Sequence, residues 1–304
     1  MARTFHLGLS SSAFCSVADP ELMANIYPER KKQPAIPMIP EEKPLATDFI
    51  RKSVAAVNEQ PVIEYFELYH SFCWDNDAII KVLEEEPKFK IWSIHSNYGK
   101  YSDPSSPIQE VRDFALRGYR DAAATAKELG ASLIVVHTGA NAVYDVPRSK
   151  RVDYVVDTLT RAAEEAAKQG VIMAVEPLPK RVEIGNRLDE VMEIIDRIDA
   201  EHVGMNFDTN HLFPPSTIPG HIKTAGKMIK NVHISDDDGD ERHWMPGTGD
   251  MDWKAVLDAL DELNYKNPLI YETRAEVKET YSETTKNVAD NFVSLIESCG
   301  YNHI

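Results

Sequence analysis

The sequence has few of the features that mark membrane proteins, secreted proteins or thiolate metal proteins. Three cysteines, Cys15, Cys73 and Cys299, lie far apart without CxxC spacing, which argues against a disulfide framework and a thiolate zinc site. No apolar run reaches the roughly 18 residues that a membrane span needs, and no basic leader precedes the first apolar run. We therefore expect a cytoplasmic protein with no membrane partner.

Positive charge is scarce as well. The 304 residues include 33 lysines and arginines against 49 acidic residues, which gives a net charge of −16. Such a surface repels nucleic acid unless a local basic stripe exists, and the sequence shows none. We therefore expect no nucleic-acid partner, and a surface that attracts cations.

Short β-type runs alternate with longer helical patterns, as in a parallel sheet built from βα units. The predicted strands are 5–10, 63–70, 90–96, 132–138, 171–176, 203–208, 230–235 and 268–272. The predicted helices are 47–59, 76–86, 108–130, 149–169, 187–199, 219–228, 252–263 and 276–298. Asp48 and Asp252 are typical of helix starts, and Gly130 and Gly170 of helix ends.

This alternation predicts an α/β fold in which 1–304 form a single (β/α)8 TIM barrel. An open doubly wound sheet commonly carries a GxGxxG turn after its first strand, and Gly8-Leu9-Ser10 is not such a turn. The closed barrel is therefore favoured over the open sheet.

One long segment between the first strand and the first helix, 11–46, lacks a periodic pattern. It carries six prolines, at positions 20, 28, 34, 37, 40 and 44. Irregular loops of this length are commonly active-site covers, and a βα loop emerges on the catalytic face of a barrel. We therefore predict a Pro-rich insertion that acts as a lid, with a packed surface insertion or an oligomer contact as the alternative.

Four consecutive predicted strands end in a side chain that binds hard divalent cations. These side chains are Glu176, Asp208, His233 and Glu272. The carboxyl ends of neighbouring barrel strands meet at one side of the mouth. A helix cap or an ion pair explains any one of them alone, but the four together predict a divalent metal site.

Further polar residues follow the same strand ends and are candidates for substrate contacts. They are His95, His137, His211, Arg242, His243 and Arg274. The two histidines that end the third and fourth strands contact substrate hydroxyls or metal, or else only support a neighbour. Arg274 lies two residues beyond Glu272, where it orients that carboxylate or binds an anionic group of the substrate.

These segments resemble the xylose-isomerase-like TIM-barrel superfamily, in particular its sugar isomerases and epimerases. The resemblance rests on AVEPLP, GMNFDTNH, NVHISDDDG, HWMPGTGDMDW and IYETR, each of which contains or adjoins a residue named above. It implies that Glu176, Asp208, His233 and Glu272 hold one divalent ion, with Mn²⁺ expected first and Mg²⁺, Co²⁺ or Zn²⁺ as alternatives. It further implies that the two glutamates are the catalytic acid and base, and that His211 contacts a substrate hydroxyl.

The expected activity is that of a sugar isomerase or epimerase of carbohydrate metabolism. The enzyme removes a proton next to the carbonyl of a sugar or polyol, through an enediolate that the metal stabilises. Barrels that resemble this one commonly pair, so a homo-oligomer is left open.

Two departures from the epimerase pattern leave other activities open. Where epimerases often carry EPLNRxE, this chain has Glu176-Pro177-Leu178-Pro179-Lys180-Arg181-Val182-Glu183, and Gly239 stands near an expected arginine. One alternative is a metal-dependent dehydratase or lyase that acts on a keto-sugar, an inosose or a C-glycoside. The other is a three-zinc apurinic endonuclease, whose nine ligands would be His95, His137, Glu176, Asp208, His211, His233, Glu241, His243 and Glu272.

Overall fold

The structure, a computed structural model, describes residues 3–18, 43–70, 76–85, 87–276 and 278–303. A short strand, β1 (Thr4–Phe5), precedes eight parallel strands that close into a barrel, as the sequence predicts. The barrel strands are β2 (Leu7–Ser10), β3 (Ile63–Tyr69), β4 (Lys90–His95), β5 (Leu133–His137), β6 (Ile172–Glu176), β7 (Val203–Asp208), β8 (Ile229–Ile234) and β9 (Leu269–Tyr271). The barrel closes where β9 pairs with β2.

The eight predicted helices surround the barrel. They are α1 (Lys43–Asn58), α2 (Asn76–Glu85), α3 (Gln109–Glu128), α4 (Arg148–Gln169), α5 (Leu188–Ile198), α6 (Ile218–Ala225), α7 (Trp253–Glu262) and α8 (Tyr281–Ser298). No helix in the described part of the chain is long and apolar enough to cross a membrane.

Several predicted helix ends are confirmed. Gly130 and Gly170 adopt the left-handed backbone, with φ of 67° and 73°, next to the carboxyl ends of α3 and α4. The Asp252 side chain caps α7 by accepting a hydrogen bond of 3.0 Å from the amide of Ala255. These ends were predictable because the cap residue itself carries the signal.

Other boundaries were wrong. The first helix begins at Lys43, so Asp48 lies inside α1 and pairs with Lys52 instead of capping it. The predicted insertion therefore ends before residue 46, and its segment 19–42 lies outside the described residues. The last helix begins at Tyr281, because Thr280 and Glu283 form a capping box there.

The first predicted strand is divided in two. Residues Thr4–Phe5 pair with a last short strand, β10 (Asn302–His303), and only Leu7–Ser10 joins the barrel. This two-stranded sheet lies at the amino-terminal end of the barrel, opposite the mouth.

The barrel interior changes character along its axis. Leu133, Val135 and Ala174 form a small apolar cluster inside the barrel, packed against Trp92 and Ile172. Because side chains alternate along a strand, polar residues of the same strands follow this cluster towards the mouth. The amino-terminal part of the barrel interior is therefore packed with apolar side chains, and polar side chains converge at the carboxyl ends of the strands.

Candidate metal centre

The strand register brings the four predicted ligands together. Asp208 stands opposite His233 in the pairing of β7 with β8, and the amide of Glu272 donates to the carbonyl of Ile234 at 3.2 Å. One ligand atom from each of Glu176, Asp208, His233 and Glu272 lies within 4.8 Å of all the others. The predicted convergence at the strand ends is therefore present.

His233 lies at the centre of this quartet. Its Nδ1 atom is 2.9 Å from Glu272 Oε2 and 3.2 Å from Glu176 Oε1. Glu176, Asp208 and His233 are buried, whereas the Glu272 side chain keeps 18% of its surface exposed. The quartet is therefore open on the side of Glu272 alone.

The quartet fits a hard divalent cation. Glu176 Oε2, Asp208 Oδ2 and Glu272 Oε2 are buried, and within the described residues the groups that face them are histidine nitrogens. Three buried carboxylates at this spacing repel one another, and a cation between them offsets both the repulsion and the loss of hydration. Carboxylate oxygens with one imidazole are a donor set that Mn²⁺, Mg²⁺ and Zn²⁺ accept.

The electrostatics of the carboxylates point the same way. Burial raises the pKa of Asp208 well above its usual value, and the charges of Glu272 and Glu176 raise it further. Burial also raises the pKa of Glu176, but hydrogen bonds from His137, His233 and His95 outweigh burial and hold that pKa well below its usual value. The pKa of Asp208 is thus raised in part by a crowding of negative charge that a bound cation would offset.

Three histidines at the mouth are oriented by main-chain carbonyls. The Nδ1 atoms of His95, His211 and His243 lie 2.9 Å from the carbonyl oxygens of Ser96, Pro177 and Glu272, respectively. Each Nδ1 therefore donates its hydrogen to a carbonyl, which leaves each Nε2 to face the site. Burial lowers the pKa of His211 to about 3, so this ring stays neutral at physiological pH.

The histidines form two further groups with carboxylates. His95 and His137 meet Glu176, with His137 Nε2 at 2.8 Å and His95 Nε2 at 3.3 Å from Glu176 Oε2. A second group joins His211, Glu241 and His243. All nine residues of the three-zinc alternative are therefore assembled in three neighbouring groups.

Burial lowers the pKa of His95, but its hydrogen bond to Glu176 and the negative charges of Glu176, Glu67 and Glu272 together outweigh burial and raise that pKa to about 9. For His137, by contrast, burial prevails and lowers the pKa. His95 Nε2 and Glu176 Oε2 face each other, and without a hydrogen on the nitrogen both atoms are acceptors. A proton or a cation between the two atoms is therefore required.

The two predicted arginines lie further from the quartet. Arg242 pairs with Asp238 through hydrogen bonds of 2.8 and 3.0 Å, on the solvent side of the loop after β8. Arg274 is 64% exposed and lies 3.8 Å from Glu241, so its nearest carboxylate is Glu241 rather than Glu272. Arg274 thus lies beside the group of His211, Glu241 and His243, whereas Arg242 is engaged by Asp238.

The residues of the loop after β6 that depart from the epimerase pattern form ion pairs with other parts of the chain. Glu183 pairs with Arg151, a fully buried side chain of α4, and belongs to none of the groups that could hold a metal. Lys180 and Arg181, in the loop after β6, pair with Asp240 and Glu241 in the loop after β8. The loops after β6 and β8 are thus joined by ion pairs beside the site.

The loop after β8 is built around Asp236. Its Oδ1 accepts from the amides of Asp237 and Met251, and its Oδ2 accepts from the amide of Gly247. A Cβ atom on Gly249 would lie 2.4 Å from Asp236 Oδ1, so only glycine fits there. The HISD and PGTGDMDW segments therefore form one folded unit that places His243 at the mouth.

Two residues beside the quartet were missed by sequence reasoning. Asn206 donates to Glu176 Oε1 at 2.9 Å, and Glu67 Oε2 lies 2.9 Å from His233 Nε2. Both are fully buried within strands. A polar residue in the middle of an apolar strand was the available signal, because such a residue needs a buried partner.

The fold and the site together define a closed (β/α)8 barrel whose mouth gathers acidic and histidine side chains that could hold a metal. The chain belongs to the xylose isomerase-like TIM barrel family, whose model matches residues 61–292. The resemblance noted from the motifs is thereby confirmed.

Several relatives are sugar isomerases and epimerases, the class that the motifs predict. A D-psicose 3-epimerase from Enterocloster bolteae is 28% identical over 38% of this chain and 36% of its own length. An inosose isomerase from Bacillus subtilis is 27% identical over 46% of this chain and 56% of its own length. The match thus spans less than two thirds of either relative.

The fold has a close counterpart among solved structures. A D-allulose 3-epimerase from Methylomonas sp., crystallised with D-allulose, superposes with a TM-score of 0.74 at 16% identity. The superposition covers 98% of this chain and 99% of that one. The barrel fold is therefore shared over the whole of both chains.

Proposed function

We propose that the chain is a divalent-metal-dependent sugar isomerase or epimerase that moves a proton next to a carbonyl. The observation that carries the proposal is the geometry of the quartet. Glu176 and Glu272 both approach His233 Nδ1, within a group of largely buried carboxylates whose charges a divalent cation would neutralise. Relatives that act on ketoses and inososes support a sugar or polyol as substrate.

Each member of the quartet has a role in this proposal. Asp208 and His233 hold the ion, for which Mn²⁺ is the first choice. A bound divalent ion polarises the carbonyl oxygen of the sugar and lowers the cost of removing the neighbouring proton. Glu176 and Glu272 carry that proton, one taking it from carbon and the other returning one to the opposite face or the adjacent carbon.

The surrounding residues bind the substrate. The four histidines His95, His137, His211 and His243 line the mouth and accept or donate hydrogen bonds to sugar hydroxyls. Arg242 and Arg274, whose side chains are exposed, bind an anionic substituent where the substrate carries one. We propose no nucleic-acid substrate here, since the net charge is −16.

The test is proton exchange. Purified protein loaded with Mn²⁺ is incubated in D₂O with a panel of ketoses, aldoses and inososes, and proton NMR follows deuterium at the carbon next to the carbonyl. We expect exchange with the wild type and a fall of about 10²–10⁴-fold in Glu272→Gln, because that change removes one proton carrier and little volume. Glu262→Gln, an exposed glutamate of α7, is the matched control.

Three other outcomes would change the assignment. Exchange that persists in Glu272→Gln contradicts the role of Glu272. An ultraviolet-absorbing enone product assigns a dehydratase or lyase. Absence of exchange with every sugar, in a protein that binds the ion, contradicts the isomerase proposal.

A three-metal hydrolase is the second candidate, because one observation favours it. The groups of His95, His137 and Glu176, and of His211, Glu241 and His243, lie beside the quartet with Nε2 atoms facing carboxylates. Such a centre would activate water against a phosphoester, as in the three-zinc apurinic endonuclease alternative. Three tightly bound zinc ions per chain with cleavage of an apurinic-site duplex would support it, whereas one ion per chain supports the isomerase.

A further inference from the structure

Glu67 is a charged residue placed deep inside the barrel. It lies on β3, is fully buried, and belongs to none of the groups that could hold a metal. A buried carboxylate costs free energy unless hydrogen bonds or an opposite charge compensate it. Its partners therefore indicate what it does.

Both partners of Glu67 bind the same oxygen. Its Oε2 accepts a hydrogen bond of 2.7 Å from the hydroxyl of Ser93, and it lies 2.9 Å from His233 Nε2. Within the described residues, His233 is the only basic side chain that pairs with Glu67. The charge of Glu67 is thus compensated across the barrel, through one imidazole.

His233 joins Glu67 to the quartet. Its Nε2 faces Glu67, whereas its Nδ1 lies 2.9 Å from Glu272 Oε2 and 3.1 Å from the amide nitrogen of Asn206. With the Nε2 hydrogen donated to Glu67, the Nδ1 lone pair faces the carboxylates. This tautomer is the one that coordinates a metal through Nδ1.

We propose that Glu67 is a positioning residue that holds the His233 ring in its metal-binding tautomer and orientation. The proposal rests on the proposed function only in so far as the quartet binds a divalent ion. Histidine ligands commonly donate their second ring hydrogen to a carboxylate, which fixes the ring and makes the ligand more basic. Loss of such an outer partner typically weakens metal affinity roughly 10- to 100-fold.

The test compares two glutamates of one strand. Glu67→Gln removes the charge at nearly constant volume. Glu64→Gln is the matched control, because Glu64 also lies on β3 and also pairs with a histidine, His6, at 2.7 Å, but outside the metal group. The readouts are the Kd for Mn²⁺ by competition with a fluorescent chelator, and the Tm with and without Mn²⁺.

We expect Glu67→Gln to raise the Kd for Mn²⁺ roughly 10- to 100-fold and to reduce the increase in Tm that Mn²⁺ causes. Glu64→Gln should leave both quantities unchanged. The Tm of each metal-free protein is the reference against which that increase is measured.

Two results would overturn the inference. An unchanged Kd in Glu67→Gln, in a wild type that binds Mn²⁺, overturns the positioning role and leaves the proposed function intact. A wild type that binds no divalent ion overturns both. If Glu67→Gln does not fold, Ser93→Ala tests the same contact, since it frees the carboxylate from the hydroxyl that orients it, and an unchanged Kd there counts against the role.

Discussion

Trp253 donates its indole hydrogen to Asp236 Oδ2 at 2.9 Å, and both side chains are buried. This bond joins the end of β8 to the first residue of α7 across a loop of sixteen intervening residues, 237–252. The loop contains Glu241 and His243 and presents them to the mouth. The Asp236 carboxylate therefore fixes the shape of one wall of the site.

Asp236→Asn should destabilise the protein. The carboxylate accepts hydrogen bonds from three main-chain amides and from the Trp253 indole, and an amide side chain offers one acceptor oxygen in place of two. We expect a loss of about 2–3 kcal/mol in the free energy of unfolding, measured by urea denaturation. Asp238→Asn, on an exposed pair of the same loop, should have little effect, and an equal loss there would contradict this role.

Asp208→Asn should release the metal without disrupting the barrel. The side chain keeps its shape but loses the charge that the ion attracts, so Mn²⁺ affinity should fall by more than the roughly 100-fold that an outer-shell change costs. Calorimetric titration measures the Kd, and circular dichroism checks the fold. Asp196→Asn, an exposed residue of α5, is the control. Undiminished affinity in Asp208→Asn would remove Asp208 from the ligand set.

Glu176→Gln should impair both metal binding and turnover, because Glu176 belongs to the quartet and also receives hydrogen bonds from histidines. The expected loss of turnover is about 10²–10⁴-fold. Glu183→Gln on the following loop is the comparison, since Glu183 pairs with Arg151 and lies outside the metal groups. Equal losses in the two variants would indicate a general effect of the loop.

The stability of the protein should depend on pH through Asp237. Burial raises its pKa to about 6 from a usual value of 3.8. A carboxyl with a raised pKa contributes stability below pH 4, and that contribution is lost as the pH rises through 6. Asp237→Asn should therefore gain stability relative to the wild type between pH 4 and pH 7. Urea denaturation at several pH values measures the difference, and a constant difference would contradict the assignment.

The sequence was sufficient to predict the barrel and the quartet, because the pattern of strands is local and the four ligands follow directly after apolar runs. Glu176, Asp208 and His233 each end an apolar run, and parallel pairing at fixed register then brings them together. Alternation of strand and helix patterns likewise predicted the eight-stranded closure. These features depend on local pattern and on one topological rule.

The remaining features depend on contacts between distant parts of the chain. Glu67 meets His233 across the barrel, 166 residues away, and no local pattern predicts that pairing. The turn of Arg274 towards Glu241 depends on the loop that Asp236 organises. The helix α1 begins at Lys43, five residues before Asp48, so the capping signal at Asp48 did not predict where this helix starts.

The most direct test of the central claim is the metal stoichiometry of the purified protein. Elemental analysis by mass spectrometry after Mn²⁺ loading and gel filtration should give one ion per chain for the wild type and none for Asp208→Asn. Absence of bound metal in the wild type, or equal metal in both proteins, would contradict the account.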